Sequence, residues 1–185
     1  LAAAEVRCGH FASEFRLSFR GRDLGQFRLR SAGRHSVLNA MAAVLVGLEL
    51  EVPVETIREG LAGFSGVDRR FQVRGREAGV TVIDDYGHHP SEIRATLAAA
   101  RHCDFRRIHV LFQAHRYTRT YHLMEEFTTC FDDCDALYLL DIYAASENPI
   151  EGVTSRVLAE RIGRRREARY CASMDQAVEA IAQAA

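Results

Sequence analysis

Two adjacent carboxylates, Asp84 and Asp85, end a short apolar run and are followed at once by Tyr86, Gly87, His88 and His89. Paired acids of this kind can hold a magnesium ion, accept hydrogen bonds from ribose hydroxyls or act as a base, and the spacing does not choose among these. His88 and His89 make a poor joint site for one metal ion, because adjacent side chains diverge. A second group lies in the polar stretch Gln113–Thr120, which carries His115, Arg116 and Arg119. Two guanidiniums three residues apart, with a His beside them, suit a carboxylate or phosphate held through paired hydrogen bonds. The same residues would also serve a solvated helix entry with ion pairs to Glu125 or Glu126. A third polar stretch runs from Asp141 to Glu147.

These stretches need a scaffold that gathers them. Val80, Val82 and Ile83 read as a strand buried on both faces. Pro90 then opens a helix with Ile93, Leu97 and Ala100 on one side. Ile108–Phe112 is the next strand, and a helix with Leu123, Phe127 and Phe131 follows it. Ala136–Leu140 is another strand, succeeded by a helix from about Ser155, a short strand near Ala168–Cys171, and a last helix opened by a Ser173–Gln176 capping box. Strands separated by helices predict an α/β, Rossmann-like, mostly parallel sheet with flanking helices. All three polar stretches leave the carboxyl ends of such strands, where ligands bind in open α/β sheets.

Upstream, Phe15, Leu17 and Phe19 alternate with Arg16, Ser18 and Arg20 and predict a hairpin over Glu14–Arg30 with one wet face. Ser36 is placed to cap a helix with Val37, Leu38, Met41, Leu45 and Leu48 on one stripe. Pro53 opens a second helix with Val54, Ile57, Leu61 and Phe64. Gly63, Gly66 and Asp68-Arg69-Arg70 suggest a linker, with a domain boundary near Gly66, so residues 1–66 and 67–185 are two units.

The net charge of −1 argues against a nucleic-acid partner. No lysine occurs, so all 24 basic residues are arginines, and neither a phosphate-loop lysine nor a Schiff-base lysine can come from this stretch. Five scattered cysteines without a C-x-x-C pair do not suggest zinc, and reduced thiols in a cytoplasmic protein fit them. No apolar run reaches the ~20 residues of a membrane span. A chain that starts on Leu and stops on a helix, where the alternation asks for a further strand, reads as a fragment.

Five blocks in order carry a resemblance to the Mur ligase family: G-R-H-S-V-L-N-A at 33–40, R-R-F at 69–71, V-I-D-D-Y-G-H-H-P-S-E at 82–92, L-F-Q-A-H-R-Y-T-R-T at 111–120 and D-I-Y-A-A-S-E-N-P-I at 141–150. The resemblance implies that residues 1–66 are a hairpin and two-helix remnant of a central ATPase domain. It implies that 67–185 are most of a C-terminal Rossmann-like domain lacking its last strand. The activity implied is ligation of L-alanine to the carboxylate of UDP-N-acetylmuramate through an acyl phosphate, with ATP and Mg2+, in cytoplasmic peptidoglycan synthesis. The metal ligands would lie mostly outside this stretch. By position, His35, Asn39, Arg70 and Asp85 would serve the nucleotide, with Asn39 at adenine and Asp85 at ribose. Tyr86, His88, His89, His115, Arg116 and Arg119 would serve the amino acid and the muramoyl end, with Asp85, His115, Arg116 and Arg119 counted as catalytic. The partners implied are the two substrates and the remaining domains of the same enzyme, with no nucleic acid or membrane and a homodimer left open. Ligation of a recycled tripeptide, or a non-catalytic nucleotide-binding module, are the alternatives. Two positions depart from the family: Ser36 stands where Asn is usual, and Ala114 where Pro is usual.

Overall fold

The computed structural model describes residues 1–9 and 11–184. The chain divides into two compact units, Leu1–Tyr86 with Ala98–Phe105, and Gly87–Leu97 with the chain from Arg106 on.

The first unit begins with an antiparallel sheet ordered β1 (Ala2–Gly9), β2 (Ala12–Phe19) and β3 (Arg22–Leu29). The expected hairpin is β2–β3, closed by Arg20 and Gly21, both at positive φ, as a two-residue turn matching strand twist requires. Strand β1 extends the hairpin to three strands, an element that alternation over its small, mixed residues does not announce. Phe15 and Phe27 face each other across the hairpin with stacked rings 6.0 Å apart. They pack with Leu17, Leu24 and Leu29 against Val37, Ala40 and Val44 of helix α1 (Arg34–Glu49). Helix α2 (Val54–Gly63) adds Val54, Ile57 and Leu61 to the edge of this core. The wet face is neutralised locally by the Arg16–Asp23 and Arg28–Glu14 pairs.

Helix α1 turns a different side inward than expected. Leu38 is 64% exposed and Leu45 is exposed too, while Ala40 and Val44 are buried. Apolar residues sit nearly all round this helix, and the sheet selects the stripe 37, 40, 44. Nor does Ser36 cap it. Gly33 is the N-cap, and the Ser36 hydroxyl, in the first turn, donates to the Ala32 carbonyl at 3.0 Å.

Strand β5 (Val80–Asp84) also departs from expectation. It pairs antiparallel with β4 (Gln72–Glu77) instead of joining the parallel sheet, and Val82 is 56% exposed. Ala78 and Gly79, both at positive φ, make the turn. A run of four residues reads equally as a buried strand or as one arm of a hairpin, and the turn chemistry at Ala78-Gly79 decides. A satellite cluster of Ala32, Ala99 and Cys103, flanked by Phe11, Phe71 and Phe105, completes the unit.

The second unit is the expected parallel sheet, ordered β6 (His109–His115), β7 (Ala136–Tyr143) and β8 (Ala168–Tyr170). Central β7 is buried from Ala136 to Leu140, as a strand covered on both faces must be. Helix α3 (Pro90–Arg101) contributes its first two turns to this unit, and its final residues, from Ala98, to the other. Two short helices, α4 (Tyr117–His122) and α5 (Met124–Thr129), replace the single one expected around Leu123, Phe127 and Phe131. Phe112 meets Phe127 at 5.8 Å and Phe131 at 5.1 Å between ring centres. Helix α6 (Ser155–Gly163) is capped by the Thr154 hydroxyl, and α7 (Met174–Ala184) by Ser173, which accepts from the Gln176 N–H at 3.2 Å. Gln176 reciprocates toward the Ala172 N–H, so the capping box forms one residue wider than its simplest version. Cys103, Cys130, Cys134 and Cys171 are buried, and burial pushes the Cys130 thiol up to about 12, which makes it a packing group rather than a nucleophile. Among the described residues no helix is long and apolar enough to cross a membrane.

Candidate functional site

The sequence-predicted residues fall into two groups, one in each unit. In the first unit the start of α1 and the end of β5 bring His35, Arg70 and Asp85 together. The Asp85 carboxylate accepts the Phe71 N–H at 2.8 Å, and the Tyr86 N–H donates to the Arg69 carbonyl at 2.7 Å. These bonds tie the carboxyl end of the strand to the R-R-F segment. Arg69 lies 4.8 Å above the Tyr86 ring and Arg70 lies 6.0 Å from it. Tyr86, expected at the amino acid, therefore belongs with the arginines of this group. Asp84 does not converge with Asp85 but pairs with Arg69 at 3.5 Å. Asn39 is exposed one turn beyond His35, on the same side of α1. Gly33 has φ +100, and a Cβ there would come within 2.8 Å of the His35 ring, so glycine lets the ring lie against the helix start. Near this group a cleft of about 460 Å³ is lined by Arg30, Arg70 and Arg76 with Phe11 and Phe71.

Burial lowers the His35 pKa from its ordinary 6.5; Asp85 raises it and Arg70 lowers it, and the net shift is downward. The folded protein thus resists a proton that the unfolded chain accepts. Stability from this source is complete above about pH 6.5 and falls as pH drops toward the lowered folded value. A series of melting temperatures from pH 7.5 to 5 should show this loss, and His35→Gln should remove that component.

In the second unit the carboxyl edge of the sheet gathers residues from three stretches. The His115 ring lies 6.2 Å from that of His88 and 5.3 Å from that of Tyr143. Arg119, one turn into α4, donates to the His115 carbonyl at 3.1 Å, with His115 Nδ1 3.4 Å away. Partial burial lowers the His115 pKa first, and the charges of Arg119, Arg116 and His88 push the same way against Glu147, so the ring is neutral near pH 7. Arg116 is half exposed, with Nη1 3.8 Å from the Glu147 carboxylate. The expected polar loop is far shorter than Gln113–Thr120. Strand β6 runs through His115 and α4 starts at Tyr117, leaving Arg116 alone between them. The register shift between Gln113 and His115 sets Ala114 opposite Asp141 and Ile142, with the extra residue on β7.

His89 turns away from this group. Its Nδ1 is 2.8 Å from the Ser91 hydroxyl, and the N–H groups of His88 and His89 both donate to Glu92, at 3.0 and 3.2 Å. The adjacent histidines thus serve the start of α3 and are not a ligand pair. Glu125 pairs with Arg161, not with Arg116 or Arg119. Among the described residues no three His, Cys, Asp or Glu side chains converge to hold a metal ion. Sequence reasoning missed Glu147, Tyr143 and Thr120 as partners of Arg116, and Thr118 as the partner of Glu147. The only available signal was the third polar stretch, because parallel pairing of β6 with β7 is what brings it alongside.

An exposed guanidinium fixed at the carboxyl edge of a parallel sheet, beside a neutral imidazole, can receive a carboxylate or phosphate. Residues 69–185 match the family described as Mur ligase, glutamate ligase domain, and the chain belongs to the Mur ligase family. It is 60% identical over its whole length to the UDP-N-acetylmuramate–L-alanine ligase of Solibacter usitatus, and it spans 40% of that relative's length. Among solved structures it resembles a UDP-N-acetylmuramate–alanine ligase from Thermotoga maritima, with a TM-score of 0.76 and 24% identity over 91% of this chain and 36% of that one. It also resembles a folylpolyglutamate synthase of Mycobacterium tuberculosis complexed with ADP, with a TM-score of 0.74 and 17% identity over 98% of this chain and 40% of that one. These two likenesses are of fold.

Proposed function

We propose that this chain is part of an ATP-dependent ligase that joins L-alanine to the carboxylate of UDP-N-acetylmuramate during peptidoglycan synthesis in the cytoplasm. The observation that carries this reading is 60% identity along the entire chain to a ligase of that name. Residues 1–66 are read as the end of a central ATPase domain and 67–185 as the C-terminal domain, supported by a family match that starts at residue 69. The other domains of the same enzyme are then its structural partners, and a homodimer is left open.

ATP supplies the phosphoryl group that turns the muramate carboxylate into an acyl phosphate, which the amine of L-alanine attacks. His35, Asn39, Arg70 and Asp85 suit a nucleotide by their chemistry. An amide and a ring on one helix side can meet a base, a carboxylate can accept ribose hydroxyl bonds, and a guanidinium can pair with phosphate. The related fold complexed with ADP supports a nucleotide here. His115, Arg116 and Arg119, with His88, are assigned to the L-alanine carboxylate and the muramoyl end. Tyr86, which lies under Arg69, and His89, which bonds to Ser91, are not assigned to that group. Cationic side chains fixed before the substrates arrive lower the cost of bringing anions together. No step is assigned to Mg2+ through residues of this chain, since the family resemblance places its ligands mostly outside this stretch.

The test is a competition assay on the full-length ligase that contains this chain, with UDP-N-acetylmuramate, ATP and equal L-alanine and wall tripeptide. L-Alanine should be the amine consumed. Preferential use of the tripeptide, or no ATP-dependent ligation at all, would overturn the proposal.

A further inference from the structure

The structure assigns a positioning role to Glu147, which holds Arg116 ready for the carboxylate of the amino-acid substrate. This inference rests on the ligase reading and extends it to a residue that reading leaves without a task.

The main chain of Arg116 is pinned on both sides. Its φ of +77 lies in the left-handed region, unusual for a residue with a side chain. The conformation is held from both sides. The Arg116 N–H donates to the Tyr143 carbonyl at 2.8 Å, and the Arg116 carbonyl accepts from the N–H and hydroxyl of fully buried Thr120, at 3.2 and 2.9 Å. Glu147 is fixed in its turn. It accepts the Thr118 N–H at 3.0 Å and the Thr118 hydroxyl at 2.7 Å, which together keep its carboxyl below the usual range and ionised. The loop that delivers it carries two more left-handed residues, Ala145 at φ +48 and Ser146 at φ +70. Three such non-glycine conformations therefore meet around one ion pair.

The arrangement is asymmetric. The Glu147 side chain is 20% exposed and already bonded to Thr118, whereas the Arg116 side chain is 51% exposed and 3.8 Å away. So long a contact leaves the hydrogen-bonding fork of the guanidinium open while restricting where the side chain swings. A flexible arginine otherwise loses rotamer freedom when a ligand captures it, and a fixed neighbouring carboxylate removes much of that loss in advance. The carboxylate of an amino acid then meets a charge already in place.

The experiment compares Glu147→Gln, Thr118→Val, Arg116→Ala and the Arg116→Ala/Glu147→Gln double variant in the full-length ligase, with separate KM values for L-alanine and ATP. Glu147→Gln should raise the L-alanine KM about five- to tenfold with the ATP KM and the melting temperature nearly unchanged. Thr118→Val should give a smaller shift of the same kind. In the Arg116→Ala background, assayed with radiolabelled L-alanine over long reaction times, Glu147→Gln should add nothing. Additive effects, equal changes in both KM values, or an unchanged L-alanine KM would overturn the role of Glu147. An Arg116→Ala enzyme with normal kinetics would instead overturn the ligase site itself, so the two failures are distinct.

Discussion

Replacing Arg116 by Ala in the full-length ligase should lower kcat/KM for L-alanine by about 10² to 10³, while the folded content and the ATP KM stay near wild type. Paired charge-assisted hydrogen bonds contribute roughly 1.5–3 kcal/mol each. Because the Arg116 side chain is half exposed in the free protein, the lower end of their sum applies, about 3–4 kcal/mol, which corresponds to the stated loss. Arg116→Lys keeps the charge but not the fork and should recover only part of the activity. The backbone should tolerate both changes, since the Tyr143 and Thr120 bonds involve main-chain atoms of residue 116. Steady-state kinetics with circular dichroism on the same samples checks the prediction.

The largest expected effect on stability is at Phe131. This side chain is fully buried and meets Phe112 edge-on at 5.1 Å, beneath the sheet that carries Arg116. Phe131→Ala removes most of a ring from a closely packed region and leaves a cavity that neighbouring Phe112 cannot fill without leaving its own place. Such truncations cost about 3–5 kcal/mol, against less than about 1.5 kcal/mol for a hydrophobic swap of similar volume. Urea unfolding followed by far-ultraviolet circular dichroism should show an unfolding free energy lowered by this amount, with an earlier midpoint and an unchanged slope. Phe131→Leu should fall well short of it.

The second unit is the more legible in sequence because its signals reinforce one another. The uninterrupted apolar run Ala136–Leu140 ends at an acid, the Ser173–Gln176 capping box marks a helix start, and helices alternate with strands. Where a signal was local and weak, tertiary context decided. The run 80–83 fits a buried strand and a hairpin arm alike, and β4 claimed it. Apolar residues on nearly every side of α1 leave its inner stripe to whatever packs against it. Gly33 and His35 are far in sequence from Arg70 and Asp85, yet the four form one group in the fold. The family resemblance grouped His35, Arg70 and Asp85, whereas residue spacing alone did not, because a hairpin and a helix start separated by more than thirty residues have to meet. Glu147 is the clearest case. It looks like any loop acid until the parallel register of β6 with β7 sets it beside Arg116.

The most direct test replaces the matching segment of the Solibacter usitatus relative with this chain, which is 60% identical to it from end to end, and assays the chimera for alanine ligation. ATP-dependent formation of UDP-N-acetylmuramoyl-L-alanine, lost again with Arg116→Ala, is the result expected. A folded chimera that binds ATP but leaves L-alanine unreacted would contradict the assignment of the amino-acid site to this chain.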